Sequence, residues 1–254
     1  DVTFINCVGE DPYADVIIEN FKKEGVNTNY IFKEKGVSSG TALVMIGEAG
    51  SNYLSVAPGA NYKLSSDKIK SCENEIKDAA MIVIQLEIPI DTTHYILELA
   101  NKHGIKVMFN LAPVQKFDLS YLKYVSYFIV NETEAEAITG FTLKDENSIE
   151  EAAKVLKAKG AENIIITLGA SGSFIYNGKI KEFVPCFKVK AVDTTAAGDV
   201  YCGAMAVALV EGKTLKDASL FASAASALSV TKLGAQPSIP TRKETEEFLL
   251  IQSV

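Results

Sequence analysis

Apolar residues gather into short runs, separated by longer stretches in which they recur every three or four positions. Met81-Ile-Val-Ile-Gln-Leu-Glu87, Lys106-Val-Met-Phe-Asn110, Tyr127-Phe-Ile-Val-Asn131 and Asn163-Ile-Ile-Ile-Thr-Leu-Gly169 have strand length and strand composition. Helical spacing separates the first pair, over Thr92–Lys102, and precedes the last, over Ile149–Lys159. Such alternation predicts a parallel sheet covered on both faces. Val2–Val8 predicts a further buried strand, and Asp15–Lys23 an amphipathic helix stopped at Gly25.

Two segments depart from this pattern. Gly40–Ile46 and Asn52–Val56 predict an antiparallel hairpin turned by Gly47-Glu-Ala-Gly-Ser51. Its first strand carries Ala42, Val44 and Ile46 on one face and Leu43 and Met45 on the other. Both faces therefore need a cover, which a ligand cleft and a partner subunit would provide, as would a place inside the main sheet. The second is Val200–Val210, apolar on nearly every side, which predicts a buried helix ended by Gly212 and too short to cross a membrane. Between and beyond lie a hairpin signal at Asn177-Gly178, with strands ending near Lys190, and a capping sequence Thr214-Leu-Lys-Asp217. The latter opens an Ala- and Ser-rich helix through Val230, and a final helix centres on Thr245–Leu250.

Polar residues stand where the apolar runs stop: Glu87, Asn110, Asn131, and Thr167 with Gly169. Ligands of open α/β sheets bind beyond the carboxyl ends of the strands, so these side chains would line one crevice. Taken singly, each also reads as a cap or turn; Asn131 suits a helix N-cap, and Thr167–Gly172 a hairpin turn. The start of the apolar helix is similarly double-sided. Asp193, Thr194 and Thr195 are capping residue types, and Ala196-Ala197-Gly198 leaves the first backbone N–H groups uncovered, a site for an oxyanion. Asp199 then faces whatever those groups hold. An acid there either takes a proton during a reaction or merely complements the helix dipole.

Composition narrows the chemistry. The 254 residues are 48% hydrophobic and 22% charged, as in an ordinary globular protein. A net charge of −7 argues against nucleic-acid and anionic-membrane partners, without excluding a local nucleotide pocket. Cys7, Cys72, Cys186 and Cys202 lack metal-ligand spacing and suit free thiols in a reducing cytoplasm. His94 and His103, the only histidines, leave no basis for a histidine triad. There is no Walker A sequence, and no Gly-x-Gly-x-x-Gly follows a strand, which disfavours a dinucleotide-binding domain.

Asp193-Thr-Thr-Ala-Ala-Gly-Asp199 resembles the signature of the ribokinase (PfkB-type) family of sugar kinases. The resemblance implies a ribokinase-like three-layer α/β/α fold with a mostly parallel central sheet. A small β-sheet lid at about residues 38–58 would clasp a second subunit, within one domain over residues 1–254. It makes Ala196, Ala197 and Gly198 the anion hole for the transferring phosphate and Asp199 the base that deprotonates the sugar hydroxyl. Asn131-Glu-Thr-Glu134 resembles the family's Asn-x-x-Glu element, implying that Asn131 and Glu134 organise the phosphates and Mg²⁺. Thr167-Leu-Gly-Ala-Ser-Gly172 resembles its nucleotide turn, giving Thr167, Gly169, Ser171 and Gly172 to ATP, with Gly198, and Ser223 on the adenine side. Glu87 matches an acid that holds a sugar hydroxyl, and Pro58-Gly-Ala-Asn61 the turn after the lid.

The same resemblance places K⁺ between side-chain oxygens of Asp193 and Ser238 and backbone carbonyls of Thr195, Ser229, Lys232 and Gly234. Gly234-Ala-Gln-Pro-Ser238 is more characteristic of members acting on D-ribose. The implied activity is ATP-dependent phosphorylation of the ribose 5-hydroxyl in the cytoplasm. The rivals are a relative acting on deoxyribose, fructose or a nucleoside, and a nucleotide-binding module without catalysis. Leu111 stands where the family suggests Pro, and Asn110–Pro113 receives no role. An opening strand with a sugar-binding Asp and a Gly-Gly-Lys-Gly-type loop have no counterpart. Because the family places the Val2–Val8 strand inside the main sheet, the expectation is an incomplete record of a longer chain, with a break beside that strand.

Overall fold

The computed structural model describes residues 1–46 and 52–252, so the expected turn at 47–51 lies outside the described residues. The chain begins with β1 (Thr3–Gly9), α1 (Pro12–Lys23) and β2 (Asn27–Glu34), followed by β3 (Thr41–Ile46) and β4 (Asn52–Ala57). Next come α2 (Ser66–Ser71), α3 (Glu73–Ile76), β5 (Met81–Ile84), α4 (Ile90–His103), β6 (Lys106–Asn110) and β7 (Tyr127–Asn131). Then follow α5 (Glu132–Thr139), α6 (Glu146–Ala158), β8 (Asn163–Thr167), β9 (Ser173–Tyr176) and β10 (Lys181–Val184). The carboxyl-terminal part is α7 (Ala197–Val210), α8 (Leu215–Ser229) and α9 (Arg242–Gln252).

Six strands form the main sheet in the order β10-β9-β8-β7-β6-β5. The pairs from β5 through β8 are parallel, and β9 and β10 are added antiparallel. Side chains of a strand alternate between faces, and here both faces are apolar. Val107, Phe109, Phe128, Val130, Ile164 and Ile166 enter one core, with Leu97 of α4 and Leu156 of α6. Met108, Ile129, Ile165 and Ile175 enter the other, with Met205 of α7 and Ala218 and Ala222 of α8. Three layers follow directly from a period of two. Phe109, Phe128 and Phe174 are completely buried, each worth about 1.5–3 kcal/mol of transfer free energy.

The amino-terminal strands stand apart from this sheet. β1 pairs in parallel with β2, and neither joins β5, the expected break beside the first strand. Only Cys7, Val8 and Gly9 of β1 are buried, so the fully buried strand expected there is half-buried over its first part. The helix expected from Asp15 starts earlier, with Pro12 in its first turn and Asp11 accepting the Ala14 N–H at 3.0 Å. Asp11 also accepts the Ser39 N–H at 2.6 Å and the Ser39 hydroxyl at 2.9 Å, which ties α1 to the approach to β3.

β3 and β4 form a separate antiparallel pair, with Leu43 opposite Ser55 and Ala42 opposite Val56. They are not part of the main sheet. Leu43 (63% exposed), Met45 (55%) and Val56 (53%) are solvent-facing, so apolar side chains on both faces of the hairpin lack a cover in the single chain. Its root is tight. Gly59 has φ 49°, and a Cβ there would lie 2.4 Å from the Ser38 carbonyl oxygen, which accepts the Ala60 N–H at 2.9 Å.

Candidate active site

The parallel strands end together on one side of the sheet. Asn131 of β7 is the register partner of Thr167 of β8, which in turn faces Ser173 of β9. Past β8 the chain makes a single turn of 3₁₀ helix, Gly169–Ser171, and reverses into β9, so the expected hairpin turn is present. Gly169, Ala170 and Ser171 are exposed on that turn. Gly172 has φ 97°, and a Cβ there would lie 2.1 Å from the Val184 carbonyl oxygen, so only glycine fits.

Asn131 and Glu134 make a reciprocal capping box. The Asn131 side chain accepts the Glu134 N–H at 2.8 Å, and Glu134 Oε2 accepts the Asn131 N–H at 2.7 Å. Glu134 is buried, and burial raises its carboxyl above the usual range, against the lowering effect of that bond. Its Oε1 is not used by the cap. One residue thus shapes the helix start and still offers an oxygen beside the strand ends.

The α7 start differs from expectation. Its N-cap is Ala196, in the left-handed region at φ 61° and ψ 9°, and no side chain caps it. Ala196 is the one non-glycine residue with positive φ among the described residues. The three polar residues before it do other work. Asp193 is buried, its Oδ1 accepting the Thr195 N–H and its Oδ2 the Gly234 N–H, both at 2.9 Å. The Thr195 side chain and these backbone donors hold its carboxyl below the usual range. The first turn is fixed from α8 as well, since the Ser226 hydroxyl donates to the Ala197 carbonyl at 2.9 Å. Sequence spacing gave no sign of that serine.

Nor is α7 buried all round, as its composition suggested. Asp199, Gly203, Val207 and Val210 form an exposed stripe at helical spacing. Asp199, Gly203 and Val207 of this stripe floor an apolar groove of about 540 Å³, closed by Phe221 and Ala225 of α8 and Ile239 of the following loop. Asp199 stands at the sheet end of the stripe. Solvent reaches it, yet the protein crowding it raises its carboxyl above the usual range. Glu87, beyond β5, is raised mainly by burial and further by the negative charge of Asp199. The two acids therefore lie within electrostatic reach of each other. Cys202 connects the parts: burial pushes its thiol up to about 12, with smaller contributions from Asp199 and Glu134.

The expected residues therefore separate into groups. Glu87 and Asp199 lie within electrostatic reach of each other, and Asn131 and Thr167 adjoin at the strand ends. Asp193 and Gly234 meet directly, with Ser229 and Ser238 both buried nearby in sequence. Ser223 is buried in α8 and does not line the groove that Asp199 opens onto. Lys232 is exposed, its ammonium paired with Glu244 at 3.2 Å.

Known proteins resemble this chain along nearly its whole length. The model of the pfkB family of carbohydrate kinases matches residues 1–242. A ribokinase of Haemophilus influenzae is 39% identical over 248 residues, covering 98% of this chain and 81% of the relative. A deoxyribokinase of Salmonella typhi is 37% identical over 253 residues, with the same two shares. The crystal structure of ribokinase from Thermotoga maritima superposes with a TM-score of 0.87 at 40% identity, covering 98% of this chain and 81% of that one. With a parallel sheet whose strand ends meet an acid-bearing helix start, and with this likeness along nearly its whole length, the chain belongs to the pfkB family of carbohydrate kinases.

Proposed function

We propose that this kinase transfers the γ-phosphoryl group of ATP to the 5-hydroxyl of D-ribose. The observation that carries the reading is Asp199, a carboxylate with raised proton affinity at the first turn of α7, opening onto the groove along α7 and within electrostatic reach of Glu87. Asp199 takes the proton of the attacking hydroxyl, the O5–Pγ bond forms, and the bond from Pγ to the bridging oxygen breaks, releasing ADP. Ala196, Ala197 and Gly198 form the anion hole for the transferring group: the Gly198 N–H has no intrahelical acceptor by position, and the Ala197 N–H, which donates to the Thr194 carbonyl at 3.2 Å, would exchange that bond for a phosphate oxygen. Glu87 accepts a sugar hydroxyl. Thr167, Gly169, Ser171 and Gly172 cradle the nucleotide, and Ser223 backs the adenine side through α8 rather than by open contact.

Glu134 and Asn131 suit Mg²⁺, since Glu134 keeps an oxygen outside its cap and hard cations take oxygen ligands. When bound, the ion neutralises phosphate charge. Asp193 suits K⁺. It is a buried acid held by neutral N–H donors, with no ion pair among the described residues, and the Ser238 hydroxyl is buried in the loop that Gly234 opens. Thr195, Ser229, Lys232 and Gly234 would contribute carbonyls. We further read residues 1–254 as one domain whose hairpin, about 38–58, is both lid and dimer surface, because apolar side chains on both its faces are exposed. Four free thiols and dependence on ATP fit work in the cytoplasm. Among the described residues no helix is long and apolar enough to cross a membrane.

The second reading, deoxyribose as acceptor, draws on the deoxyribokinase relative at 37% identity. A panel of ribose, 2-deoxyribose, fructose and a nucleoside, assayed with ATP and Mg²⁺ on the full-length protein, decides between them. Ribose should give the highest kcat/KM and K⁺ should activate over Na⁺ at matched ionic strength. A higher kcat/KM for deoxyribose would replace the substrate, and equal rates in the two salts would remove the cation site.

A further inference from the structure

We propose that a closed ring of buried hydroxyls, formed by Tyr201, Ser173 and Ser219, is the positioning device that holds the anion-hole turn in register with the nucleotide turn. Tyr201 is 5% exposed and the two serines are fully buried. The Tyr201 hydroxyl donates to Ser173 Oγ at 3.1 Å, Ser173 and Ser219 share a bond of 2.9 Å, and Ser219 and Tyr201 one of 2.5 Å. Each hydroxyl has one proton to give, and a ring of three bonds uses each proton once. No donor is left over. With Tyr201 giving to Ser173, the remaining directions are set: Ser173 gives to Ser219, and Ser219 gives to Tyr201.

The three residues come from three elements, and each adjoins a different part of the site. Tyr201 is two residues beyond Asp199 on α7. Ser173 opens β9 and directly follows Gly172, the last residue of the nucleotide turn. Ser219 lies one helical turn before Ser223 on α8, the helix whose Ser226 also holds the Ala197 carbonyl. Apolar packing alone permits a helix to slide or rotate by small amounts, because it has no directional preference. Hydrogen bonds in a low-dielectric interior are directional and mutually reinforcing, and the ring fixes α7 against both neighbours at once. Phosphoryl transfer needs that, because donor and acceptor are held by different elements and small misplacements cost large factors in rate. Burial, the largest influence on the Tyr201 hydroxyl, raises its pKa, so it stays protonated and donating at neutral pH.

This inference rests on the assignment of Asp199 and of residues 167–172 made above. The test is a double-mutant cycle of Tyr201→Phe and Ser173→Ala in the full-length enzyme. Tyr201→Phe keeps the shape of the side chain and leaves the two serines bonded to each other, so the fold survives. Each single change should raise KM for ATP and lower kcat by about fivefold, the factor that corresponds to one net hydrogen bond, with KM for the sugar unchanged. The double variant should be no worse than the worse single one, because either change opens the same ring. Variants with a lowered Tm but unaltered kcat and KM for ATP would reduce the ring to a stabilising feature and overturn the proposal, as would fully additive losses. The parent protein is the control on the underlying reading. A parent that binds no ATP by calorimetry would remove the functional assignment and this inference together, whereas an active parent with unaffected variants removes the ring alone.

Discussion

The first turn of α7 and the β3–β4 hairpin are both short, both assigned to the proposed reaction, and built on opposite principles. The turn is held from several sides: Ser226 on its carbonyl, Asp193 bridging to Gly234, and helix α8 packed along its length. The hairpin is held by its own ladder and its clamped root, with Leu43, Met45 and Val56 exposed. A two-stranded hairpin is marginal by itself. The contrast teaches that the turn proposed for the chemistry is preorganised within the chain, while the hairpin proposed to enclose it leaves apolar side chains on both faces unburied by the single chain.

Removing the proposed base attacks the rigid side most directly. Asp199→Asn should lower kcat by about 10²–10⁴-fold with ATP affinity little changed, as measured by steady-state kinetics and nucleotide titration. Near-parental turnover would exclude Asp199 as the base. The raised carboxyl adds a pH signature. The base must be ionised, so activity should fall as pH drops through a value above the ordinary aspartate range of about 4. Stability runs the other way. The folded chain binds this proton more tightly than the unfolded one, so its contribution to stability is lost as pH rises from the unfolded to the folded pKa. The Asn variant lacks that loss, and at neutral pH it should be no less stable than the parent.

Gly172→Ala should be the next largest effect. The added Cβ meets the Val184 carbonyl oxygen at 2.1 Å, in a backbone region costly for any side chain. We expect about 3 kcal/mol of destabilisation by urea unfolding, with a raised KM for ATP. Gly169→Ala is its internal control. Gly169 also has positive φ, at 53°, but nothing lies within 4 Å of the added carbon, so the cost should be only about 1 kcal/mol. Equal costs at the two positions would mean that the collision with Val184 relaxes freely.

The hairpin answers to a different measurement. Replacing Leu43 and Met45 together by serine should leave the unfolding midpoint of the isolated chain nearly unchanged, since both side chains are already exposed. It should shift the sedimentation coefficient from dimer to monomer and raise the KM for sugar. An unchanged assembly state would show that this face is covered by something other than a second subunit.

Much of this was legible along the chain, for identifiable reasons. The β6–β8 runs announced themselves because a strand buried on both faces is apolar throughout, and Asn131 and Thr167 were findable because they stop such runs side by side. β2 was not, because Asn27-Thr-Asn-Tyr-Ile-Phe-Lys-Glu34 mixes polar residues into a half-buried strand. The exposed stripe of α7 was hidden for the opposite reason: Gly203 and Val207 are as apolar as their buried neighbours, so composition could not say which face is open. The capping residues before α7 misled because Asp193 is turned toward Gly234, a contact 41 residues away. Tyr201, Ser173 and Ser219 carry no spacing at all, since their link exists only after three elements have packed.

The smallest expected effect is the most specific to the turn. Ala196 holds φ 61° and ψ 9°, a conformation that costs an L-residue about 1–2 kcal/mol and glycine almost nothing. The strain is local, and the bonds around the turn are what maintain it. Ala196→Gly removes that cost but loosens the unfolded chain, an opposing term of about 0.4–1 kcal/mol. The net should be a gain of up to about 1 kcal/mol, read as a higher urea midpoint at an unchanged m-value. Turnover should move the other way by less than about tenfold, because a glycine lets the anion-hole amides explore more orientations before the phosphate arrives. A midpoint lowered by the substitution would mean that the Ala196 methyl group stabilises the turn by contact, and that its left-handed backbone stores no strain for glycine to release.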